Sequence, residues 1–273
     1  MSNLPSKVEA RLLSVLKRFQ PILTSARSRD VNESDTVVIV TDLLSELFGY
    51  DKYSEVTSEF SIRGTYCDLA IKLQDKLEML IEVKAIGLDL KDAFVKQAVD
   101  YAANQGVDWV VLTNGDLWKV FRITFAKPIE QELVFEFRIT ELNGRKDDDL
   151  EILYLLTKEG MLKQGLNEYH AQKQVLSRYS IAAMVLSEPI LDSIRKVLRK
   201  ITPEIKVDTK QIHTVLTQEV LKRDVTEGEK ADEAKKKLNR MMNRLDKLKA
   251  EKSSAESVSH VIKGDASQDI ENN

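Results

Sequence analysis

The stretch YCDLAIKLQDKLEMLIEVK, residues 66–84, decides the fold. Its two runs alternate apolar and polar residues and are rich in strand-forming types, and the polar residues 74–76 separate them. The alternation predicts a β-hairpin whose core face carries residues 77, 79, 81 and 83. If the hairpin turns about Asp75, paired residues are equidistant from it, and Asp68 lies opposite Glu82.

Two carboxylates and an amine share the second face of this hairpin. Glu82 and Lys84 lie opposite the core face, and Asp68 faces Glu82 at roughly 5 Å between Cβ atoms, where like charges repel each other. A bound cation removes that repulsion, and two hard oxygen ligands suit Mg²⁺. A register slip of one residue would put the carboxylates on opposite faces. The pattern therefore predicts a site for Mg²⁺ or Mn²⁺.

Composition sets limits on the chain. Its 273 residues, of which 42% are hydrophobic, allow one large domain, or one domain with appendages. A single cysteine, Cys67, excludes an intramolecular disulfide and favours a cytoplasmic location. We expect no signal peptide and no membrane span, because no apolar run approaches the required length. With a net charge of −3, nucleic-acid binding would depend on local basic patches.

Several kinds of active site are absent from the sequence. The three histidines, His170, His213 and His260, lie far apart, and with one cysteine they form no zinc-binding set. There is neither a G-x-x-x-x-G-K-[ST] phosphate-binding loop nor a G-x-S-x-G nucleophile elbow. The sequence therefore encodes no P-loop ATPase motor and no hydrolase with that serine motif.

Residue patterns also predict the order of the elements. Helices are expected over residues 6–19, 32–48 and 89–104, and Pro21 is expected to interrupt the first. Strands are expected over residues 56–62, 66–73, 77–84, 108–113, 117–123 and 133–139, with a turn at Asn114–Gly115. This order predicts an α/β or α+β core over residues 1–143.

The second half of the chain has a different composition. Residues 144–225 are expected to form a helical region that Pro189 and Pro203 break into segments. Residues 226–252 are expected to form a coiled-coil-like helix, because apolar residues recur there at spacings of three and four: Ala231, Ala234, Leu238, Met241, Leu245 and Leu248. Residues 253–273 are polar and poor in aromatics, which predicts disorder.

The predicted coiled-coil-like helix needs a partner, because a free helix of this length is marginal in water. Its apolar edge could pack on the chain's own helical region or on a second chain. We predict that it pairs with a second chain in a homodimer, since the helical region offers further surface for such a contact.

Gln97 and Tyr101 are four residues apart on a predicted helix and so lie on one face. They either border the Asp68 and Glu82 site, or Tyr101 packs in the core while Gln97 faces solvent.

Several segments together resemble the N-terminal nuclease domain of type I restriction enzyme R subunits, of the PD-(D/E)xK superfamily. These segments are DLAI (68–71), LIEVKA (80–85), Q-x-x-x-Y (97–101) and WVVLTNGDLWKVFRI (109–123). The block VLTNG-x-x-W, residues 111–118, is the most specific part, since it has no catalytic reason to recur by chance. The resemblance covers about residues 32–123 and implies an α/β fold of the restriction-endonuclease type, a mixed sheet flanked by helices.

The resemblance also implies roles for individual residues. Asp68 and Glu82 hold the metal, Lys84 assists the attacking water, and Gln97 and Tyr101 support the site and DNA contact. The acid at the start of the preceding helix most nearly matches Glu33, with Glu46 as a rival. The carbonyl of Val83 is a further candidate ligand, from its place in the strand.

DNA binding requires cations that neutralise phosphates. The candidates are Arg27, Arg29, Lys91, Lys96 and, on a later helix, Arg195, Lys196, Arg199 and Lys200. For each cluster, a plain solvated face is the alternative.

Together these observations predict a stand-alone, metal-dependent DNA endonuclease without a motor, of restriction-modification type, in host defence or a mobile element. The pattern fits double-stranded DNA, single-stranded DNA or RNA as substrate, and one metal ion or two. One alternative is a catalytically silent nucleic-acid-binding or regulatory module of the same fold. Another is a structural protein that acts through its helical half.

Overall fold

The predicted hairpin lies in a six-stranded sheet whose strands follow the sequence order. The strands are β1 (Val56–Ile62), β2 (Thr65–Leu73), β3 (Lys76–Val83), β4 (Trp109–Thr113), β5 (Leu117–Thr124) and β6 (Glu130–Arg138). Among these strands only β3 and β4 pair in parallel, since a helix crosses over between them. The structure confirms the predicted α/β fold with a mixed sheet flanked by helices.

The computed structural model describes residues 4–62, 65–125, 128–245 and 247. The chain divides into two units, Met1–His170 and Ala171–Asn273. The boundary between the two units lies after residue 170, whereas composition indicated a boundary after residue 143. The predicted disordered tail, residues 253–273, lies outside the described residues.

Helices cover both faces of the sheet. On one face, α1 (Ser6–Ser28) and α2 (Glu33–Glu46) pack over a cluster that contains Ile81. On the other face, α3 (Lys96–Gln105) packs over a cluster that contains Leu80. Neighbouring residues of β3 therefore point into different clusters, as the alternation of side chains in a strand requires.

The first helix continues through Pro21, contrary to the expectation that this residue interrupts it. Proline in a helix interior costs roughly 3 kcal/mol. However, α1 buries one continuous stripe on both sides of the proline: Val8, Leu12, Leu16, Phe19, Leu23 and Ala26. The apolar burial gained by Leu23 and Ala26 beyond the proline offsets that cost.

Leu77 does not share a face with Met79, which corrects the predicted alternation. Ile71 pairs with Met79 while Lys72 pairs with Leu77, so that β3 carries one extra residue in a bulge. Adjacent residues of β2 point to opposite faces, and their partners on β3 do the same. Leu77 accordingly packs with the cluster under α3, and Met79 with the cluster under α1 and α2.

The described residues that follow β6 are mostly helical. The helices are α4 (Asp147–Leu155), α5 (Lys158–Leu162), α6 (Gly165–Val175), α7 (Arg178–Val185), α8 (Glu188–Ile201), α9 (Thr209–Val215), a π-helical turn (Leu216–Val220), α10 (Arg223–Thr226) and a helix over residues 229–245. None of the described helices combines the length and the apolar character needed to cross a bilayer.

The predicted coiled-coil-like helix is buried at its start and exposed further on. Ala231 is buried, whereas Met241 and Leu245 are both more than half exposed. Leu248 lies outside the described residues.

Candidate active site

The ladder between β2 and β3 has the predicted register as far as the residues that adjoin Asp68 and Glu82. Leu69 pairs with Ile81, as in a hairpin centred on Asp75. The turn itself is Gln74–Asp75, with positive φ at both residues, and the bulge near Glu78 compensates for the one-residue difference. A turn and a bulge that the sequence did not reveal thus leave the predicted register intact up to the pair Leu69–Ile81, next to the site.

The sheet opens beside Asp68. Beyond the pair Leu69–Ile81, β2 stays paired with β1 while β3 stays paired with β4. The side chain of Asp68 takes the place of the next rung, because its Oδ2 accepts a hydrogen bond of 2.7 Å from the backbone N–H of Val83. This opening places a carboxylate between two strands.

Lys84 links two further carboxylates. Its Nζ lies 2.9 Å from Oε1 of Glu82 and 3.5 Å from Oε1 of Glu33, the first residue of α2. Glu46, the rival acid on this helix, pairs with Arg18 instead. The structure therefore brings Glu33, Glu82 and Lys84 together.

Burial governs the protonation of these groups. Burial raises the pKa of Glu82, although the hydrogen bond from Lys84 lowers it. Burial also raises the pKa of Asp68, while the hydrogen bond from Val83 and the charge of Lys84 act in the opposite direction. Burial lowers the pKa of Lys84, but the hydrogen bond to Glu82 and the nearby carboxylates outweigh it, so that this pKa is raised. Lys84 is therefore charged, and three carboxylates, those of Glu82, Glu33 and Asp68, share its single positive charge.

One oxygen of this site has no partner. Glu82 is 6% exposed, and its Oε2 is buried without a hydrogen bond from any described residue. An unsatisfied buried polar atom costs about 1–3 kcal/mol, and more when it is charged. A divalent cation would satisfy this oxygen and offset the repulsion from Asp68.

The donor set suits a cation that keeps much of its water. Among the described residues, no group of three or more His, Cys, Asp and Glu side chains is arranged to hold a metal ion. Asp68 and Glu82 offer carboxylate oxygens, and Mg²⁺ is commonly held by one or two carboxylates while it retains several waters. The residues present therefore fit Mg²⁺ or Mn²⁺ better than a fully enclosed metal.

Residues 39–134 match the family model of the type I restriction enzyme R protein N terminus. The match confirms the resemblance found in the sequence. It covers about a third of the chain and includes Asp68, Glu82 and Lys84, while Glu33 lies just before it. The comparisons with curated proteins and with solved structures gave no match.

Two more predicted site residues, Gln97 and Tyr101, lie on α3. Tyr101 is buried in the cluster between α3 and the sheet, which also contains Cys67. The side chain of Gln97 lies outside the described part of the structure. Tyr101 thus has the packing role that was its alternative, and its predicted support of the site stays a prediction.

Cys67 precedes Asp68 and is fully buried. Burial, with the charges of Glu82 and Asp68, raises the pKa of this thiol to about 12. The thiol is therefore protonated at neutral pH, and it donates a hydrogen bond to the carbonyl oxygen of Ile81. It acts here as a core residue and not as a nucleophile.

The basic residues predicted to contact DNA are dispersed. In the first unit, Arg27, Arg29, Lys91 and Lys96 are exposed. In the second unit, Arg195 and Lys196 both pair with Asp192 on α8.

Sequence reasoning missed Thr36 and Asn114, which hold the segment that follows Lys84. The hydroxyl of Thr36 accepts a hydrogen bond from the N–H of Ile86, and the amide of Asn114 donates to the carbonyl oxygens of Ile86 and Leu88. The VLTNG-x-x-W block contains Asn114 and was the sequence signal that could have revealed its role. Thr36 had no signal, since a helical threonine packed against the core is common.

Proposed function

We propose that this protein is a divalent-metal-dependent DNA endonuclease that hydrolyses phosphodiester bonds. The observation that carries the proposal is the unpartnered, buried Oε2 of Glu82, set beside Asp68 and Lys84 where the sheet opens. The family of residues 39–134 supports a nuclease-like role and DNA as the substrate.

The chain's own residues would divide the chemistry between them. Asp68 and Glu82 would hold Mg²⁺ or Mn²⁺, with the carbonyl of Val83 as a further ligand. When bound, the metal would supply the positive charge that makes a water nucleophilic and stabilises the charged phosphate. Lys84 can donate hydrogen bonds to that water or to a phosphate oxygen, and Glu33 holds its ammonium group from the other side.

A silent DNA-binding module of the same fold is the nearest alternative. Phosphate binding depends on cations, and carboxylates oppose it. Burying Asp68 and Glu82 around one lysine would weaken such a module without any benefit, whereas a hydrolytic site needs both acids. The composition of the site therefore favours cleavage over binding alone.

We further propose that the chain acts as a homodimer. Exposed apolar residues on the helix over residues 229–245, Met241 and Leu245 among them, support a contact with a second chain. A dimer would present two sites to the two strands of DNA.

The central experiment measures cleavage of supercoiled plasmid and of single-stranded DNA by the full chain with Mg²⁺, with Mn²⁺ and with EDTA. We expect metal-dependent cleavage that Asp68→Asn, Glu82→Gln and Lys84→Ala each lower by more than about 100-fold. In Asp68→Asn the side-chain oxygen can still accept from the N–H of Val83, so the fold is retained. Glu78→Gln, on the same strand outside the site, is the matched control.

Cleavage that persists in EDTA, or in Glu82→Gln, would exclude the proposal. DNA binding without any cleavage would assign the chain to the silent modules.

A further inference from the structure

The turn between β4 and β5 has a side chain that the proposed chemistry does not use. Asn114 is 3% exposed, and all four of its hydrogen-bonding positions are occupied. Its Oδ1 accepts from the N–H groups of Asp116 (3.2 Å) and Leu117 (2.8 Å). Its Nδ2 donates to the carbonyl oxygens of Ile86 (3.2 Å) and Leu88 (3.0 Å).

These partners fix the orientation of the amide. A flipped side chain would set its NH₂ group against two N–H donors and its oxygen against two carbonyl oxygens. Asn114 therefore bridges its own turn to the segment Lys84–Leu88, which lies about 30 residues earlier in the chain. The bridge needs two donors on one end and an acceptor on the other, which among side chains of this length only asparagine provides.

Two more contacts hold the same segment. The backbone N–H of Lys84 donates to the carbonyl oxygen of Thr113 at 2.8 Å. The N–H of Ile86 donates to Oγ1 of Thr36 at 3.2 Å, and that hydroxyl donates in turn to the carbonyl oxygen of Asn32 at 2.7 Å. The segment is thus attached both to β4 and to α2, the helix that begins with Glu33.

We propose that Asn114 is a positioning residue for Lys84, an inference that rests on the proposed nuclease function. β3 ends at Val83, so Lys84 is where the strand passes into a loop. A lysine side chain has four rotatable bonds, and its ammonium group can stay between Glu82 and Glu33 only if the backbone is fixed. A misplacement of 1 Å at a catalytic group can cost about 100-fold in rate.

The test compares two isosteric variants on the same turn. Asn114→Asp replaces the NH₂ donor by an oxygen that faces the carbonyls of Ile86 and Leu88. Asp116→Asn is the matched control, because Asp116 is as deeply buried but its side chain bonds Thr140, Arg138 and Arg27, away from Lys84. Each variant is measured well below its own melting temperature.

We expect Asn114→Asp to lower kcat about 10- to 100-fold, with KM and the dissociation constant for Mn²⁺ within about threefold of wild type. Asp116→Asn should keep kcat within about threefold. A second pair of variants tests the hydrogen bond from the N–H of Ile86 to Thr36. Thr36→Val, which loses the acceptor, should lower kcat, whereas Thr36→Ser, which keeps it, should retain the wild-type kcat. A purely structural role would lower the melting temperatures of all these variants without this division in kcat.

Hydrogen exchange separates failure of this inference from failure of the nuclease proposal, since it needs no activity. The hydrogen of the backbone N–H of Ile86 should exchange with solvent at least about tenfold faster in Asn114→Asp than in Asp116→Asn. Unchanged exchange overturns the bridge, and faster exchange with a wild-type kcat overturns the positioning role. A wild-type chain that never cuts overturns the nuclease proposal and the role of Lys84 with it, while exchange still reports on the bridge.

Discussion

The two units of the chain differ in how they treat their apolar residues. In the unit Met1–His170, two large clusters bury both faces of the sheet. In the unit Ala171–Asn273, the described buried apolar residues are Ala182, Ala183, Leu191, Ile212 and Ala231, of which three are alanines. Large apolar side chains of that unit are instead exposed, including Leu176, Val197, Ile201, Val220 and Leu245.

This difference shows which unit can sustain a site with conflicting charges. Buried carboxylates and an unpartnered oxygen at Glu82 lower stability, and only a densely packed sheet can offset that cost. The helical unit has fewer buried apolar side chains, and many of its large ones are exposed, so it has less packing to offset such a cost.

The largest effect is expected from Trp118→Ala in the first unit. The indole of Trp118 is fully buried and stacks against the ring of Phe137, with 6.3 Å between the ring centroids. It also donates a hydrogen bond to the carbonyl oxygen of Gly115. Its removal should lower the free energy of unfolding by about 3–5 kcal/mol. Urea denaturation followed by circular dichroism measures this loss.

Val197→Ala in the second unit is the control for Trp118→Ala. Val197 is 55% exposed, so the change should be within about 0.5 kcal/mol. Equal losses for the two variants would remove the difference between the units.

Metal binding should stabilise the first unit alone. A ligand at a hundredfold excess over its dissociation constant adds about 2.7 kcal/mol to the free energy of unfolding of the form that binds it. Calorimetry with and without millimolar Mn²⁺ should show the gain in wild type and in Glu78→Gln. Glu82→Gln should lose it, because this variant lacks a ligand oxygen.

Without metal, Glu82→Gln should be at least as stable as wild type, since the substitution removes the repulsion from Asp68 and the charge at the unpartnered Oε2, while the amide oxygen can still accept from Lys84. A shift in the transition of the helical unit on adding metal would contradict the assignment of the site to the sheet.

A smaller effect is expected from the ion pair of Arg11 and Glu159. Two hydrogen bonds of 2.9 and 2.7 Å join them, and those bonds lower the pKa of Glu159. The pair is partly exposed, so Glu159→Gln should cost only about 0.5–1 kcal/mol at pH 7. Since the folded pKa is lowered, the stabilisation exists above the ordinary value of 4.5 and is lost as the pH falls through the folded value.

Urea denaturation between pH 7 and pH 3 tests the Glu159→Gln prediction, because the difference from wild type should shrink only at the acid end. Asp224→Asn breaks the more exposed pair with Arg178 in the second unit and should leave the free energy of unfolding nearly unchanged. A difference for Glu159→Gln that grows on acidification would contradict the assignment.

The smallest effect on folding is expected from Leu245→Lys, since Leu245 is 55% exposed. Its effect should appear in assembly: light scattering should give about twice the chain mass of 31.1 kDa for wild type and the single mass for the variant. Ile205→Lys, also in the second unit and 57% exposed, should leave the mass unchanged. A monomeric wild type at tens of micromolar would exclude the proposed dimer.

Prediction from sequence succeeded where the signal was local. The alternation in β2 and β3 predicted the register of the pair Leu69–Ile81, next to Asp68 and Glu82, and the family match includes both acids. The prediction from sequence was wrong at Pro21, where the packing of α1 on the sheet overrode local preference. It was also wrong at Leu77, where a bulge near Glu78 changed the face of the strand.

The sequence by itself determined the strands, their order and the residue types at the candidate site, because strand periodicity and turn chemistry act over a few residues. Only the tertiary structure decided that the sheet opens beside Asp68, that Lys84 meets Glu33, and that Asn114 holds the segment after Lys84. Those contacts join residues about 15 to 50 positions apart. They depend on how α2 and the strands β2 to β5 pack, and no short-range pattern in the sequence carries that information.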